Sequence, residues 1–146
     1  MVQFWMAETI KTLQLLEQRK MAIGALNIQI RGLDADVASL SGRGYGSTPV
    51  QGGGNRQEER LARWIDKKAR LERERDKLVA IVEHTEECLA RLPERERAVV
   101  TAFYLSNISR CEAVRKLEQE LYVSEATVYR LREKALTVLA MMMGYI

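Results

Sequence analysis

The chain of 146 residues carries 23 basic and 20 acidic side chains, so its formal net charge is only +3 at pH 7. Such a balanced mixture of basic and acidic side chains does not by itself indicate a nucleic-acid binder. Any positive surface has to come from the arrangement of the side chains. Two cysteines are too few for a disulfide framework, and no apolar stretch suits a signal peptide or a bilayer span, so we expect a cytoplasmic protein with reduced thiols and no membrane partner.

The first predicted element is a long helix with a heptad seam, in which apolar residues recur every seven positions in two interleaved series. The series are Leu16, Ile23, Ile30 and Val37, and Leu26, Leu33 and Leu40. Arg19 interrupts the seam, and Gly24 and Gly32 weaken the helix only mildly.

A second long helix is predicted from about Arg56 through Leu92. Its apolar side consists of Leu61, Trp64, Leu71, Leu78, Val82, Leu89 and Leu92. Lys68, Arg75 and Thr85 interrupt that side. The simplest arrangement is an antiparallel hairpin in which each helix buries the apolar side of the other.

The apolar surface that such a hairpin leaves uncovered favours self-association. Phe4, Trp5 and Met6 either cover this surface or contact a second copy of the chain. Because heptads of this length are typical of dimers, we expect a homodimer through the long helices.

The segment Ser41–Asn55 between the two helices is rich in glycine and contains Pro49, a composition through which a helix does not continue. A structureless loop of this length is unusual in a compact domain, which leaves two interpretations, a disordered segment or a contact with a partner. No lysine–serine or lysine–threonine pair follows the glycines, so no phosphate-binding loop is predicted.

His84 and Cys88 stand four residues apart, at the spacing of two metal ligands on one helix. With Cys111 they are still one ligand short of a tetrahedral zinc site unless Glu87 joins them. We therefore predict no metal site but a small buried thiol and an exposed imidazole. A single histidine also leaves little scope for general base chemistry, so we expect no catalytic residue, no cofactor and no enzyme activity.

A third helix is predicted to start at Leu92 and Pro93, because proline is tolerated in a first turn and the acidic Glu94 and Glu96 suit its positive end. Its core face consists of Ala98, Val99, Ala102, Phe103 and Leu105. Together with the two helices that follow, it predicts a small three-helix bundle.

Two further helix starts lie at the separation that a DNA-reading helix pair requires. Ser109 and Glu112 form a capping box that starts a helix at Arg110, and Ser124 followed by Glu125 predicts a second start. The buried faces are Ala113, Val114, Leu117 and Leu121 in the first helix and Val128, Leu131, Ala135, Val138 and Leu139 in the second. The pattern fits a helix-turn-helix, and the alternative is an ordinary pair of packed helices.

Two segments of this region resemble region four of bacterial sigma factors. The resemblance consists of a leucine-proline-x-arginine-glutamate start at Leu92, Pro93, Arg95 and Glu96 and a lysine-alanine-leucine finish at Lys134, Ala135 and Leu136. With the long helices in front, the chain resembles the sigma-region-four-like regulators of phages and prophages of Gram-positive bacteria, the late-gene activators of the RinA and ArpU type and their relatives. The resemblance implies binding to promoter DNA, with RNA polymerase as a second partner.

The chain departs from the usual helix-turn-helix pattern at two positions. Glu118 stands where the two helices cross and a small residue is usual, and Tyr122 stands at the glycine of the turn. Glycine tolerates a left-handed backbone that tyrosine resists, so either the turn is wider or Leu117 to Leu121 packs differently.

The resemblance also assigns roles to individual residues. The positions that read bases are Glu125, Ala126, Tyr129 and Arg130. Among them Arg130 is the strongest candidate, because a guanidinium fork matches the two acceptors of guanine in the major groove. The residues expected to hold phosphates are Arg110, Ser124, Thr127, Arg132 and Lys134.

The sequence therefore predicts an all-α protein with two domains. Residues 1–90 form a coiled-coil-like helical hairpin with a glycine-rich loop at 41–55, and residues 91–146 form a helix-turn-helix domain. The expected function is a sequence-specific regulator of transcription that binds double-stranded DNA. The alternative is a protein-interaction module that contacts RNA polymerase or another partner through the same helices without binding DNA.

Overall fold

The computed structural model describes residues 3–43 and 53–146, and over these two ranges it is helical, without a strand. The α-helices are α1 (Phe4–Gln14), α2 (Leu16–Arg43), α3 (Gly53–Ala90), α4 (Glu94–Val100), α5 (Arg110–Leu121) and α6 (Glu125–Met143). A π-helical turn over Thr101–Leu105 follows α4 directly. The predicted all-α class is confirmed.

The helices form two compact units. Of the described residues, the first unit contains 3–19 and 81–146, and the second contains 20–43 and 53–80. Both α2 and α3 contribute residues to each unit. The sequence predicts a different boundary, between two domains at residues 90 and 91. That boundary concerns which parts of the chain fold on their own, and it stays a prediction.

In the second unit α2 and α3 pack through the apolar seam that the heptads predict. Ile30, Leu33 and Leu71 are buried, and Leu26 and Trp64 pack against them. This burial removes aliphatic and aromatic side chains from water, which is the dominant favourable contribution to such a contact. The side chain of Leu40, also assigned to the seam, lies outside the described residues.

Two of the polar residues that interrupt the α3 seam have partners on α2. Lys68 Nζ lies 2.5 Å from Asp34 Oδ1 and 3.7 Å from Glu72 Oε1, and the hydrogen bond with Asp34 raises the pKa of Lys68. Arg75 Nη1 donates a hydrogen bond to Asn27 Oδ1 at 3.2 Å. Since the later residue of α2 meets the earlier residue of α3, the two helices run in opposite directions in this unit.

In the first unit α6 packs against α1, α4 and α5. Its buried residues are Val128, Ala135, Leu136, Leu139 and Ala140. On α1, Thr12 Oγ1 lies 2.7 Å from the hydroxyl oxygen of Tyr145, so a hydrogen bond joins α1 to the segment that follows α6. The heptad pattern does not predict this contact, because it depends on residues more than 130 positions apart.

Several helix boundaries differ from the predictions. A turn at Leu15 separates α1 from α2, whereas the sequence shows only the seam that begins at Leu16. The helices also extend further into the glycine-rich segment than predicted, since α2 ends at Arg43 and α3 begins at Gly53. Lengthening an existing helix by a residue costs far less than starting one, so weak helix formers at its ends are tolerated. The rest of the predicted loop, 44–52, lies outside the described residues. The two interpretations of this loop, a disordered segment or a contact with a partner, therefore stay predictions.

Arg97 closes the end of α3, which the sequence does not reveal. Its Nε donates to the carbonyl oxygen of Leu89 at 3.1 Å, and its Nη2 donates to those of Ala90 at 2.7 Å and Leu92 at 2.9 Å. The last carbonyls of a helix have no partner within the helix, so one guanidinium donates to two of them, those of Leu89 and Ala90, and also to the carbonyl of Leu92 in the segment that follows α3.

Candidate nucleic-acid interface

The helix pair α5 and α6 begins at the two serines that the sequence identifies as caps. Ser109 Oγ accepts a hydrogen bond from the backbone N–H of Glu112 at 3.2 Å, and Ser124 Oγ accepts one from that of Thr127 at 3.3 Å. Each serine satisfies one of the donors that the first turn of a helix leaves unpaired. The starts predicted at Arg110 and Glu125 are confirmed.

The turn between α5 and α6 is built on Tyr122, whose φ of 54° and ψ of 47° place it in the left-handed region. Its side chain is 92% exposed, so no packing offsets the strain of that conformation in a residue with a Cβ. The wider turn is therefore not present, because tyrosine itself takes the conformation that glycine usually supplies.

A common core fixes α5 against α6 and the π-helical turn. Its buried residues are Val99, Ala102, Ala113, Val114, Leu117 and Val128, and Leu121, Val123 and Leu131 pack against it. Leu117 is completely buried at the crossing, while Glu118 beside it is half-buried and lines the groove between the helices. The sequence predicts most of this core. It misses Leu136, which is also fully buried, because the predicted apolar stripe of this helix passes through the neighbouring Ala135.

The predicted base-reading residues lie on the first two turns of α6. Glu125, Ala126 and Arg130 are exposed there, and Tyr129 is half-buried. Val128, on the opposite side of the helix, is completely buried. The start of α6 thus presents an outward face made of one carboxylate, one methyl group and one guanidinium.

Tyr129 is the centre of a cluster of rings and guanidinium groups. The Cζ atoms of Arg110 and Arg132 lie 5.1 and 5.3 Å from the centre of its ring, and the ring of Phe103 lies 6.0 Å away. Arg132 also lies 5.5 Å from the ring centre of Phe103. Cations at these distances are attracted to the faces of aromatic rings, so the cluster orients both arginines.

Arg132, a predicted phosphate contact, is held more firmly than the sequence suggests. Its side chain is half-buried beside two rings, and its Nε is buried with no hydrogen-bond partner among the described residues. Tyr104 lies on the same side of the unit, where burial raises the pKa of its hydroxyl and the charges of Arg132 and Arg110 lower it less strongly. The sequence contains no local signal for this arrangement, because Phe103 and Arg132 meet only through the tertiary fold.

The other predicted phosphate contacts are placed differently from one another. Arg110 is exposed apart from its contact with Tyr129, and Ser124 and Thr127 bind each other, with 3.1 Å between their hydroxyl oxygens. Lys134 Nζ lies 3.5 Å from Glu96 Oε1, although the lysine side chain is 71% exposed. Ser124 therefore has a structural role at the cap, and Lys134 has one towards α4.

Between α5 and α6 lies an open groove of about 310 Å³. Arg110 and Arg115 line it together with Glu118 and Glu125, so its walls carry both cations and carboxylates. The surface next to α6 therefore carries charges of both signs and is not uniformly positive.

His84 and Cys88 lie close to each other on α3, with 3.9 Å between Nε2 and Sγ. Cys88 is buried and His84 exposed, as predicted, and burial raises the pKa of the Cys88 thiol. Among the residues that the structure describes, no three histidine, cysteine or acidic side chains converge to hold a metal ion.

No family model, curated protein or solved structure matches this chain. The resemblance to region four of sigma factors therefore depends on the residues quoted above. Within the described ranges, no helix combines the length and the apolar character needed to cross a membrane.

Proposed function

We propose that this chain is a sequence-specific regulator of transcription that binds duplex DNA through α5 and α6 as a helix-turn-helix of the sigma-region-four type. The observation that carries the proposal is the outward face of α6, where Glu125, Ala126 and Arg130 are exposed while Val128 anchors the same turns in the core. A helix held in this way can enter a major groove with its first two turns.

In this proposal Arg130 reads guanine, because its guanidinium is exposed and can donate two parallel hydrogen bonds to one base edge. Glu125 is suited to accept a hydrogen bond from the amino group of cytosine, and Ala126 to contact the methyl group of thymine. Tyr129 acts mainly by orienting Arg110 and Arg132, since both guanidinium groups lie within 5.3 Å of the centre of its ring.

The phosphates are contacted mainly by Arg110, Thr127 and Lys134. Arg132 and the capping Ser124 contribute weaker phosphate contacts. Such contacts fix the position of the helix on the duplex without reading its sequence. The antiparallel contacts of α2 and α3 suit a helical hairpin that brings two copies together, so that paired reading helices meet two half-sites. The proposal includes a cytoplasmic homodimer of phage or prophage origin, with RNA polymerase as a further partner and no catalytic or cofactor chemistry.

The test is a selection of binding sites from a random duplex pool, followed by titration of the selected duplex at several salt concentrations. We expect one preferred sequence and an affinity that falls about 10³-fold or more between 50 and 200 mM salt if six or more phosphates are contacted. Recovery of no preferred sequence, or an affinity that salt does not change, contradicts the proposal.

A second candidate function is supported by the carboxylates in the groove. Glu118 and Glu125 lie beside the reading face, where acidic groups repel phosphate and instead suit basic patches of a protein partner. In this alternative the same helices bind RNA polymerase without DNA. A polymerase pull-down with unlabelled duplex as competitor separates the two, because only the DNA-binding function predicts that duplex changes the recovery.

A further inference from the structure

α2 carries a second regular stripe, on the side away from α3. Its residues are Met21, Ala25, Ile28, Gly32, Ala35 and Ser39, and all six are exposed. They alternate in steps of four and three residues, which is the spacing of the two core positions of a heptad. Met21 and Ile28 remain 74% and 64% exposed and lie one heptad apart on this face, so the stripe leaves two large apolar side chains in contact with water.

The stripe lies opposite the seam that α2 uses within the chain. A helix turns by about 100° per residue, so Ile28 points about 200° away from Ile30, which is buried against α3. A Cβ added at Gly32 meets nothing within 4 Å. Over Met21 to Ser39 this face therefore offers about 27 Å of open helix surface with small residues between the larger ones.

The charges beside the stripe are complementary to those of a second copy of the helix. In the heptad frame of the stripe, Arg31 directly precedes the core position Gly32, and Asp36 directly follows the core position Ala35. These are the two flanking positions that form ion pairs between parallel helices, at a separation of five residues. Both side chains are exposed, and in an antiparallel pair Arg31 does not meet Asp36.

We propose that this stripe is the surface of a parallel, in-register homodimer, in which Arg31 of each chain pairs with Asp36 of the other across an α2–α2 contact. Met21 and Ile28 then pack against their own copies. The small side chains of Ala25, Gly32 and Ser39 allow the two helices to approach closely. This deepens the homodimer of the proposed function, and its test requires no DNA, so it can fail while DNA binding holds, and the reverse.

The first experiment measures mass by sedimentation equilibrium. We expect about 33 kDa, twice the 16.7 kDa of the chain, and a shift to the monomer for Ile28→Glu, whose side chain is 64% exposed within the chain. Arg73→Glu, at a position on α3 that is also exposed, serves as the control and should leave the dimer intact. A monomeric wild-type chain, or a dimer unaffected by Ile28→Glu, overturns the proposal.

The second experiment tests the pairing of Arg31 with Asp36. Arg31→Asp and Asp36→Arg should each weaken dimerisation about tenfold, because each converts two symmetric attractions into repulsions. The double variant Arg31→Asp/Asp36→Arg restores the attraction and should recover most of the loss. Two losses that merely add in the double variant overturn the assigned register.

The third experiment fixes the direction by disulfide cross-linking, with Cys111→Ser as the background because Cys111 is exposed and Cys88 is buried. Met21→Cys and Ala35→Cys should each form a covalent dimer, since in a parallel pair every stripe position faces its own copy. In an antiparallel pair at most one of these two positions faces its own copy. A covalent dimer of only one variant, or of neither, therefore overturns the proposal. Ala62→Cys, exposed on α3, should not cross-link.

Discussion

Glu96 on α4 and Lys134 on α6 form an ion pair in which one partner is buried and the other exposed. Lys134 Nζ lies 3.5 Å from Glu96 Oε1, and the two side chains are 71% and 5% exposed respectively. They belong to the start and the finish of the two sigma-like segments, so the resemblance in sequence coincides with a contact in the fold. The pair joins the first and the last helix of the predicted three-helix bundle.

Lys134→Ala should lower the free energy of unfolding by about 1–2 kcal/mol, because it leaves the buried carboxylate of Glu96 without its cation. In a Glu96→Gln background the same change should cost less than about 0.5 kcal/mol, since no buried charge is left unpaired. Chemical denaturation of the four proteins of this cycle measures the difference. Lys116→Ala is the matched control, because Lys116 and Glu120 are both 53% exposed and their pair contributes little.

Tyr122→Gly should stabilise the protein by about 0.5–1 kcal/mol, because glycine adopts the left-handed conformation of the turn without the strain of a Cβ. Little packing is lost, since the tyrosine side chain is 92% exposed. Tyr122→Ala keeps the Cβ and should give no comparable gain. Thermal or urea unfolding of the three proteins is the measurement, and an equal gain for alanine would point to the tyrosine ring and not to the backbone.

Arg97→Lys should destabilise the protein by about 1–2 kcal/mol, because an ammonium group cannot reach three carbonyl oxygens in the geometry of a guanidinium fork. The cost should be accompanied by fraying at the end of α3, seen as faster amide exchange in that turn. Arg95→Lys, at an exposed position on the same helix, should change stability by less than about 0.5 kcal/mol. Similar losses for both variants would contradict the role assigned to Arg97.

The two thiols should react at very different rates with an aromatic disulfide reagent at pH 8. Cys111 is exposed and should react first, whereas Cys88 is buried and its raised pKa leaves less of the reactive thiolate. Cys111→Ser should remove the fast phase alone. Because the pKa of Cys88 is higher in the folded than in the unfolded chain, its contribution to stability should decline as the pH rises above the unfolded value.

The elements that the sequence predicts well are those set by neighbouring residues. Ser109 and Ser124 mark helix starts because their caps involve residues only three positions away, and the heptads predict the seam of Ile30 and Leu33 because the periodicity is local. The left-handed turn at Tyr122 is harder to predict from the sequence, since tyrosine disfavours the backbone conformation that this residue adopts.

The contacts that the sequence does not predict join residues far apart in the chain. The hydrogen bond of Thr12 with Tyr145 and the position of Arg132 beside Phe103 depend on how helices pack, and periodicity carries no information about that choice. The candidate site shows the same division, because Arg130 could be placed on an outward face from spacing alone. The orientation of Arg110 and Arg132 by Tyr129 could not.

Base reading by Arg130 is tested by comparing the wild-type chain with Arg130→Ala on a selected duplex and on duplexes that carry single base changes. We expect the wild-type chain to lose about 1–3 kcal/mol of binding free energy when one guanine is replaced, and Arg130→Ala to lose discrimination at that base pair while keeping its preferences elsewhere. Lys134→Ala should instead weaken binding to all duplexes alike. If Arg130→Ala discriminates at every base pair as the wild-type chain does, Arg130 does not read a base and the proposed mode of DNA recognition is wrong.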